Sequence, residues 1–147
     1  MLYNAVMNDL APGALAKEVT VTLHALEGRL EAALEPLGLS LAKFGVLSTL
    51  VAAQEPLPLR LLAEQCACVR SNITQLVDRL EGDKLVRRMD DPKDRRSILA
   101  DLTSEGRARH AAGLRALEAA EKDLFAPLPE RQRKTLVDLL RSLRECP

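Results

Sequence analysis

The stretch RRMDDPKDRRS, from Arg87 to Ser97, places five cations (Arg87, Arg88, Lys93, Arg95, Arg96) and three acids (Asp90, Asp91, Asp94) around Pro92. These side chains on one short loop suit the binding of a polyanion rather than bond-breaking chemistry. Cations at a loop tip can meet phosphates or enter a narrow minor groove, where the potential is most negative. Several unpaired cations would repel one another and leave the loop without a fixed shape. The acids can accept hydrogen bonds from loop amides or guanidiniums, and Pro92 restricts the backbone, so Asp91, Pro92 and Asp94 are the residues expected to order the loop. From Lys84 to Arg96 six cations stand against three acids, net +3 in a chain whose formal charge is zero.

Just upstream, RSNITQLVDRLEGDK carries a second pattern. Ile73, Leu76, Val77 and Leu80 form one apolar stripe at helical spacing, and Arg70, Ser71, Asn72, Thr74, Gln75, Asp78 and Arg79 lie opposite. Glu and Lys would make a better helix surface if solubility were the only demand. Asn and Gln both donate and accept hydrogen bonds, which solubility alone does not require. In isolation this face could be an ordinary solvated one; its neighbours decide.

The elements that must position these groups follow from periodicity. Leu15, Val19, Leu23, Leu26, Leu30, Leu34 and Leu37 recur every three or four residues, predicting a long amphipathic helix from Ala14 that ends at Pro36 and Gly38. Ser40 can cap the next helix, SLAKFGVLSTLVAA, which is apolar on most sides and so central. Pro56 and Pro58 break it, and a short helix with Leu59, Leu62, Ala63 and Cys66 on one face follows. After the tight link ACV comes the polar-faced helix, then two strand candidates, LVRRM and SILADLT, with the charged loop as their hairpin. Two further helices are predicted, from about Ser104 to Leu124 and from Pro129 to Arg144, separated by Pro127 and Pro129.

Two short helices joined tightly and followed at once by a hairpin predict a winged helix-turn-helix. The 147 residues fit one compact domain with a sizeable core. With Tyr3, Phe44 and Phe125 as the only aromatics, that core must be built from Leu, Val and Ala, which favours helices. The fold class is therefore mainly α (α+β). No signal peptide or membrane span is evident, and three cysteines fit a reducing compartment, so the expectation is a cytoplasmic protein with no membrane association.

From Leu39 to the C-terminus the sequence resembles the MarR-type transcriptional regulators. The likeness is strongest in LAEQCACVRSNITQLVDRLEGDKLVRRMDDPKDRRSILADLTSEGR, and its most specific part is DDPKDRR, an alternating strand and LTSEGR. It implies a homodimer with intertwined terminal helices that binds pseudo-palindromic double-stranded DNA and is often released by a small-molecule effector or by oxidation; repression is the commoner outcome. The implied organisation is an N-terminal dimerisation helix (1–38), a winged helix-turn-helix (39–103) and C-terminal dimerisation helices (104–147). The recognition helix would contribute Arg70, Ser71, Asn72, Thr74, Gln75 and Arg79, and the wing Arg88, Lys93, Arg95 and Arg96, while Asp78 and Glu81 are expected to pair with neighbouring arginines.

The chain departs from the family's pattern twice. Val69 stands where the family often has Ser or Thr and cannot cap the recognition helix, leaving Ser71 to do so from further in, with a shorter helix. Lys84 stands where a glycine usually ends it, at a cost of about 1 kcal/mol in a left-handed conformation, with Gly82 as an alternative stop.

Cys66 and Cys68 occupy apolar positions of the turn motif and read first as small buried thiols; with Cys146, the more exposed one, they are also the candidates for a redox response. His24 and His110 lack an i,i+4 partner and read as ordinary interface or surface residues, so no metal is expected. No cofactor or catalysis is expected either: there is no Gly-rich phosphate loop, no nucleophile beside a base and no paired carboxylates. The alternatives to a DNA-binding regulator are a dimeric protein-interaction module, which would predict a degraded wing, and a thiol-based redox sensor.

Overall fold

The computed structural model describes residues 11–66 and 70–145, with Arg70 and Ser71 as backbone alone. The chain divides into two compact units, one of Leu30–Leu117 and one of Met1–Arg29 with Glu118–Pro147.

In the unit Leu30–Leu117, helix α1 (Ala14–Leu34) arrives from the other unit and gives way to a 3-10 turn at Glu35–Leu37. Pro36 fits the start of that turn, and Gly38 closes it at φ 67°, its N–H donating to Glu35 O at 2.9 Å while Leu39 N reaches Leu34 O at 3.3 Å. Ser40 caps α2 (Leu41–Ala53), its Oγ accepting from Lys43 N at 3.1 Å. Val46, Leu47 and Leu50 of α2 are buried, as a helix apolar on most sides requires.

Next come α3 (Leu59–Gln65) and α4 (Arg70–Gly82), which pack through Leu62 and Ala63 against Ile73, Leu76, Val77 and Leu80. Burying Leu47, Leu62 and Leu80, each fully enclosed, contributes roughly 1.5–3 kcal/mol apiece. Strands β2 (Val86–Asp90) and β3 (Ile98–Leu102) form the hairpin, with Val86 opposite Leu102 and Asp90 opposite Ile98. Their outer neighbour is a two-residue strand, β1 (Leu57–Pro58), antiparallel to β3 and giving the sheet order β1-β3-β2. Sequence periodicity does not reveal β1: two residues have no alternation, and Pro58 reads as a breaker although it is tolerated at a sheet edge.

Helix α5 (Ser104–Phe125) starts in this unit. Thr103 explains the LTSEG motif: its Oγ accepts from Gly106 N at 2.9 Å and donates to Lys84 O at 2.8 Å. Further along, the His110 ring stacks on Phe44 at 4.9 Å between centroids, with its Nε2 3.1 Å from Ser48 Oγ. Burial pushes the His110 pKa below its ordinary 6.5. A depressed histidine pKa means that the unfolded chain binds the proton more readily, so this contribution to stability is whole above pH 6.5 and shrinks as the pH falls through that value. His110→Phe, which keeps a ring against Phe44, is therefore expected to lose less stability than the wild type between about pH 7.5 and about pH 5.5, read by denaturant unfolding at both.

The sequence expectations need two corrections at α4. The helix begins at Arg70 and is not shortened, so Ser71 lies within its first turn. Gly82 does not take over the helix stop: Lys84 itself adopts the left-handed conformation, φ 62°. Lys84 N donates to Glu81 O and Leu85 N to Leu80 O, both at 2.9 Å, which is a Schellman closure. It brings Leu85, fully buried, into the core, and that burial offsets the backbone cost at Lys84.

The other unit contains the first turns of α1, the end of α5 and α6 (Glu130–Glu145). Its helices are amphipathic, yet Leu15, Val19, Val21, Leu23, Val137, Leu139, Leu140 and Leu143 are all exposed. An apolar groove runs between the end of α5 and α6, lined by Phe125, Leu136, Val137 and Leu140. Among the described residues no single helix is long and apolar enough to cross a membrane.

Candidate nucleic-acid interface

Helix α4 turns Ile73, Leu76, Val77 and Leu80 inward and leaves Asn72, Thr74, Gln75, Asp78 and Arg79 exposed. Its outer face is thus a row of short polar side chains with Arg79 in the last turn. The side chains of Arg70 and Ser71, predicted to belong to this face, lie outside the described residues, as do Cys68 and Cys146.

The hairpin loop beyond β2 is held by its own acids. Asp91 Oδ1 accepts from Lys93 N at 2.8 Å, and Asp94 Oδ1 accepts from Arg96 N at 3.0 Å. Main-chain bonds close the loop: Asp94 N to Asp91 O, Ser97 N to Asp94 O, and Asp91 N to Ser97 O. Two successive Asx turns therefore shape the wing, with Pro92 at the centre of the first. Lys93 and Arg96 contribute backbone amides to this scaffold, not their charges. Lys93, Arg95 and Arg96 are exposed and make no ion pair among the described residues.

The remaining cations of the stretch are engaged. Arg87 pairs across the strands with Asp101, Nε and Nη2 lying 2.8 Å and 2.5 Å from Oδ2. Arg88, expected among the wing's contacts to DNA, is instead turned onto α4. Its Nη1 donates to Glu81 Oε2 at 2.8 Å, its Nη2 to Thr74 O at 3.3 Å and to the Asp78 carboxylate. The strand position explains this: a side chain leaving the middle of β2 on the face toward α4 meets two acids one helical turn apart. Burial disfavours the charge on Arg88, but hydrogen bonds and attraction from Asp78 and Glu81 outweigh it and raise its pKa. The pairing of Asp78 and Glu81 with an arginine follows the sequence expectation, although Arg88's place in the wing does not disclose that it is the partner.

Cys66 ends α3, half-buried, with its Sγ 3.3 Å from Thr49 Oγ and 3.9 Å from Gly45 O, so it packs at the edge of the core. His24 Nδ1 lies 2.8 Å from Thr20 O. No group of three or more metal-ligating side chains occurs among the described residues.

The two elements of the interface have counterparts in known proteins. The MarR family model matches residues 39–98, spanning α2 to the start of β3. A Bacillus subtilis (strain 168) protein, the uncharacterized HTH-type transcriptional regulator YkoM, is 35% identical over 69 residues, which are 47% of this chain and 44% of that one. The chain thus spans less than half the length of this curated relative. The crystal structure of a probable transcriptional regulator from Pseudomonas aeruginosa is 30% identical, with a TM-score of 0.74 over 88% of this chain and 98% of its own. A mutant MarR from E. coli, crystallised with operator DNA, gives a TM-score of 0.80 over 92% of this chain and 96% of its own; at 24% identity this is a likeness of fold.

Proposed function

The chain belongs to the MarR family, and from that premise we propose that it is a sequence-specific DNA-binding transcriptional regulator, a repressor acting as a homodimer in the cytoplasm. The observation that carries this reading is the free charge of the wing. Lys93, Arg95 and Arg96 make no ion pair among the described residues, on a loop that Asp91 and Asp94 already hold in shape, beside a helix that offers Asn72 and Gln75 to solvent. In this reading α4 enters the major groove. Asn72 and Gln75 meet base edges, Arg70 and Arg79 guanine or phosphate, and Ser71 and Thr74 phosphate, while the wing tip reaches the flanking backbone or minor groove.

The homodimer is supported by the exposed apolar side chains of α1 and α6, which a second copy would cover. Two such copies read a pseudo-palindromic site when their recognition helices lie about 34 Å apart, one turn of DNA. A small-molecule effector or oxidation would release the dimer by changing that spacing.

A titration tests the reading. The purified chain is measured against a duplex that it enriches from a random-sequence pool and against a scrambled duplex of the same composition, at two salt concentrations. Salt-sensitive binding with a clear preference for the enriched duplex, at two chains per duplex, is expected. Equal affinity for both duplexes, or no binding by a folded dimer, would favour a protein-interaction module instead.

A further inference from the structure

The cluster at Arg88 serves the wing without belonging to its DNA-facing tip. Arg88 sits in the middle of β2 and is gripped twice by one residue of α4: Glu81 Oε1 accepts from its backbone N at 3.1 Å, and Glu81 Oε2 accepts from Nη1 at 2.8 Å. Asp78 and the Thr74 carbonyl hold the other end of the guanidinium. A strand held by both main chain and side chain cannot roll about its axis against the helix. We propose that Arg88, Glu81 and Asp78 form a clamp that sets the wing's orientation on the recognition helix, and with it the register between major-groove and flanking contacts. Arg88 is a positioning residue for DNA recognition and not a ligand of DNA.

This inference rests on the DNA-binding reading above and adds to it a division of labour among the wing's arginines. Charge argues the same way as geometry. The cluster sums to −1, one guanidinium against two carboxylates, so a phosphate brought to Arg88 would have to displace a carboxylate and face the other. Lys93, Arg95 and Arg96 have no such competitors among the described residues. A clamp of this kind acts on specificity more than on affinity. Non-specific binding tolerates a wing at many angles, whereas the preferred sequence needs helix and wing to fit at once.

Glu81→Gln and Arg88→Gln, measured with the wild type against the enriched and scrambled duplexes over a range of salt, separate these roles. Glu81→Gln is close to isosteric and removes a negative charge from the DNA-facing side, so simple electrostatics would tighten its binding to any DNA. The clamp predicts instead that its preference for the enriched duplex falls about tenfold, with affinity for the scrambled duplex unchanged or higher. Arg88→Gln is expected to lose preference to the same degree while keeping the wild-type slope of log affinity against log salt.

Retention of the full preference by Glu81→Gln would overturn the clamp. So would a loss by Arg88→Gln that is equal on both duplexes and accompanied by a slope shallower by about one, the mark of a phosphate ligand. If the wild type itself shows no preference, the regulator reading falls and the clamp's role in recognition falls with it. Failure of the clamp alone leaves the wild-type preference standing.

Discussion

Gly106→Ala is expected to lower the unfolding free energy by about 3 kcal/mol or more, a large share of the stability of a domain this size. Alanine within a helix is ordinarily favoured over glycine, by about 0.5–1 kcal/mol in the interior and less in the first turn where Gly106 lies, so the expected sign is the reverse of what helix propensity dictates. The reason is a close approach of two backbones. A β-carbon at Gly106 would stand 2.0 Å from Leu85 O, 3.0 Å from Leu85 C and 2.8 Å from Leu102 Cδ1. The leucine methyl can turn away, but the carbonyl cannot. Leu85 O accepts from Thr103 N at 3.1 Å and lies 3.0 Å from Thr103 Oγ, and Leu85 N is fixed to Leu80 O at 2.9 Å. Relief would have to lift the start of α5 off the strand that carries the wing. Denaturant unfolding of Gly106→Ala and Gly82→Ala together checks this, because nothing lies within 4 Å of a β-carbon at Gly82. Destabilisation at 106 with neutral or improved stability at 82 is the expected pair of results, and equal effects at both would refute the close-approach argument.

That glycine also marks what the sequence discloses and what it conceals. The helices are legible because their apolar residues repeat at three and four. The stripe Ile73, Leu76, Val77 and Leu80 is buried as a set, and Ala100 and Leu102 of β3 are buried at the strand period. The hairpin is legible because its charged loop separates a short strand candidate, LVRRM, from the alternating run SILADLT. Contacts between elements distant in sequence are different. LTSEGR is recognisable as a pattern, but the carbonyl of Leu85 against Gly106 comes from the residue just before β2, a full hairpin away. Lys84 is concealed in another way: its local backbone preference opposes the left-handed conformation, and the burial of Leu85 overrides it. Arg88 shows the limit for the interface. An arginine on a strand next to a basic loop has the same sequence environment whether its guanidinium faces solvent or turns to two acids on the preceding helix. Only the positions of Asp78 and Glu81, one turn apart and facing β2, distinguish the two.

Replacing Lys93, Arg95 and Arg96 together by alanine is expected to weaken binding to enriched and scrambled duplexes alike, by roughly a hundredfold at moderate salt, and to make the slope of log affinity against log salt shallower by about 3. The size follows from counterion release, in which each phosphate neutralised contributes close to one unit of slope. The test is clean because the loop does not depend on these charges. Asp91 and Asp94 bind the backbone amides of Lys93 and Arg96, and alanine retains those amides, so the wing keeps its shape while losing its cations. A single Arg95→Ala should show the same uniform loss at about one third of the slope change. Gln75→Ala is expected to behave in the opposite way. Gln75 stands exposed on α4 with no formal charge, so its removal should leave the salt slope unchanged and alter which sequences the chain prefers. A triple variant with an unchanged slope would mean that the wing does not meet phosphate, and the DNA-binding reading would then rest on α4 alone. A uniform loss from Gln75→Ala would move that residue from base reading to backbone contact, since only a group that touches a base edge can alter sequence preference without altering the charge balance.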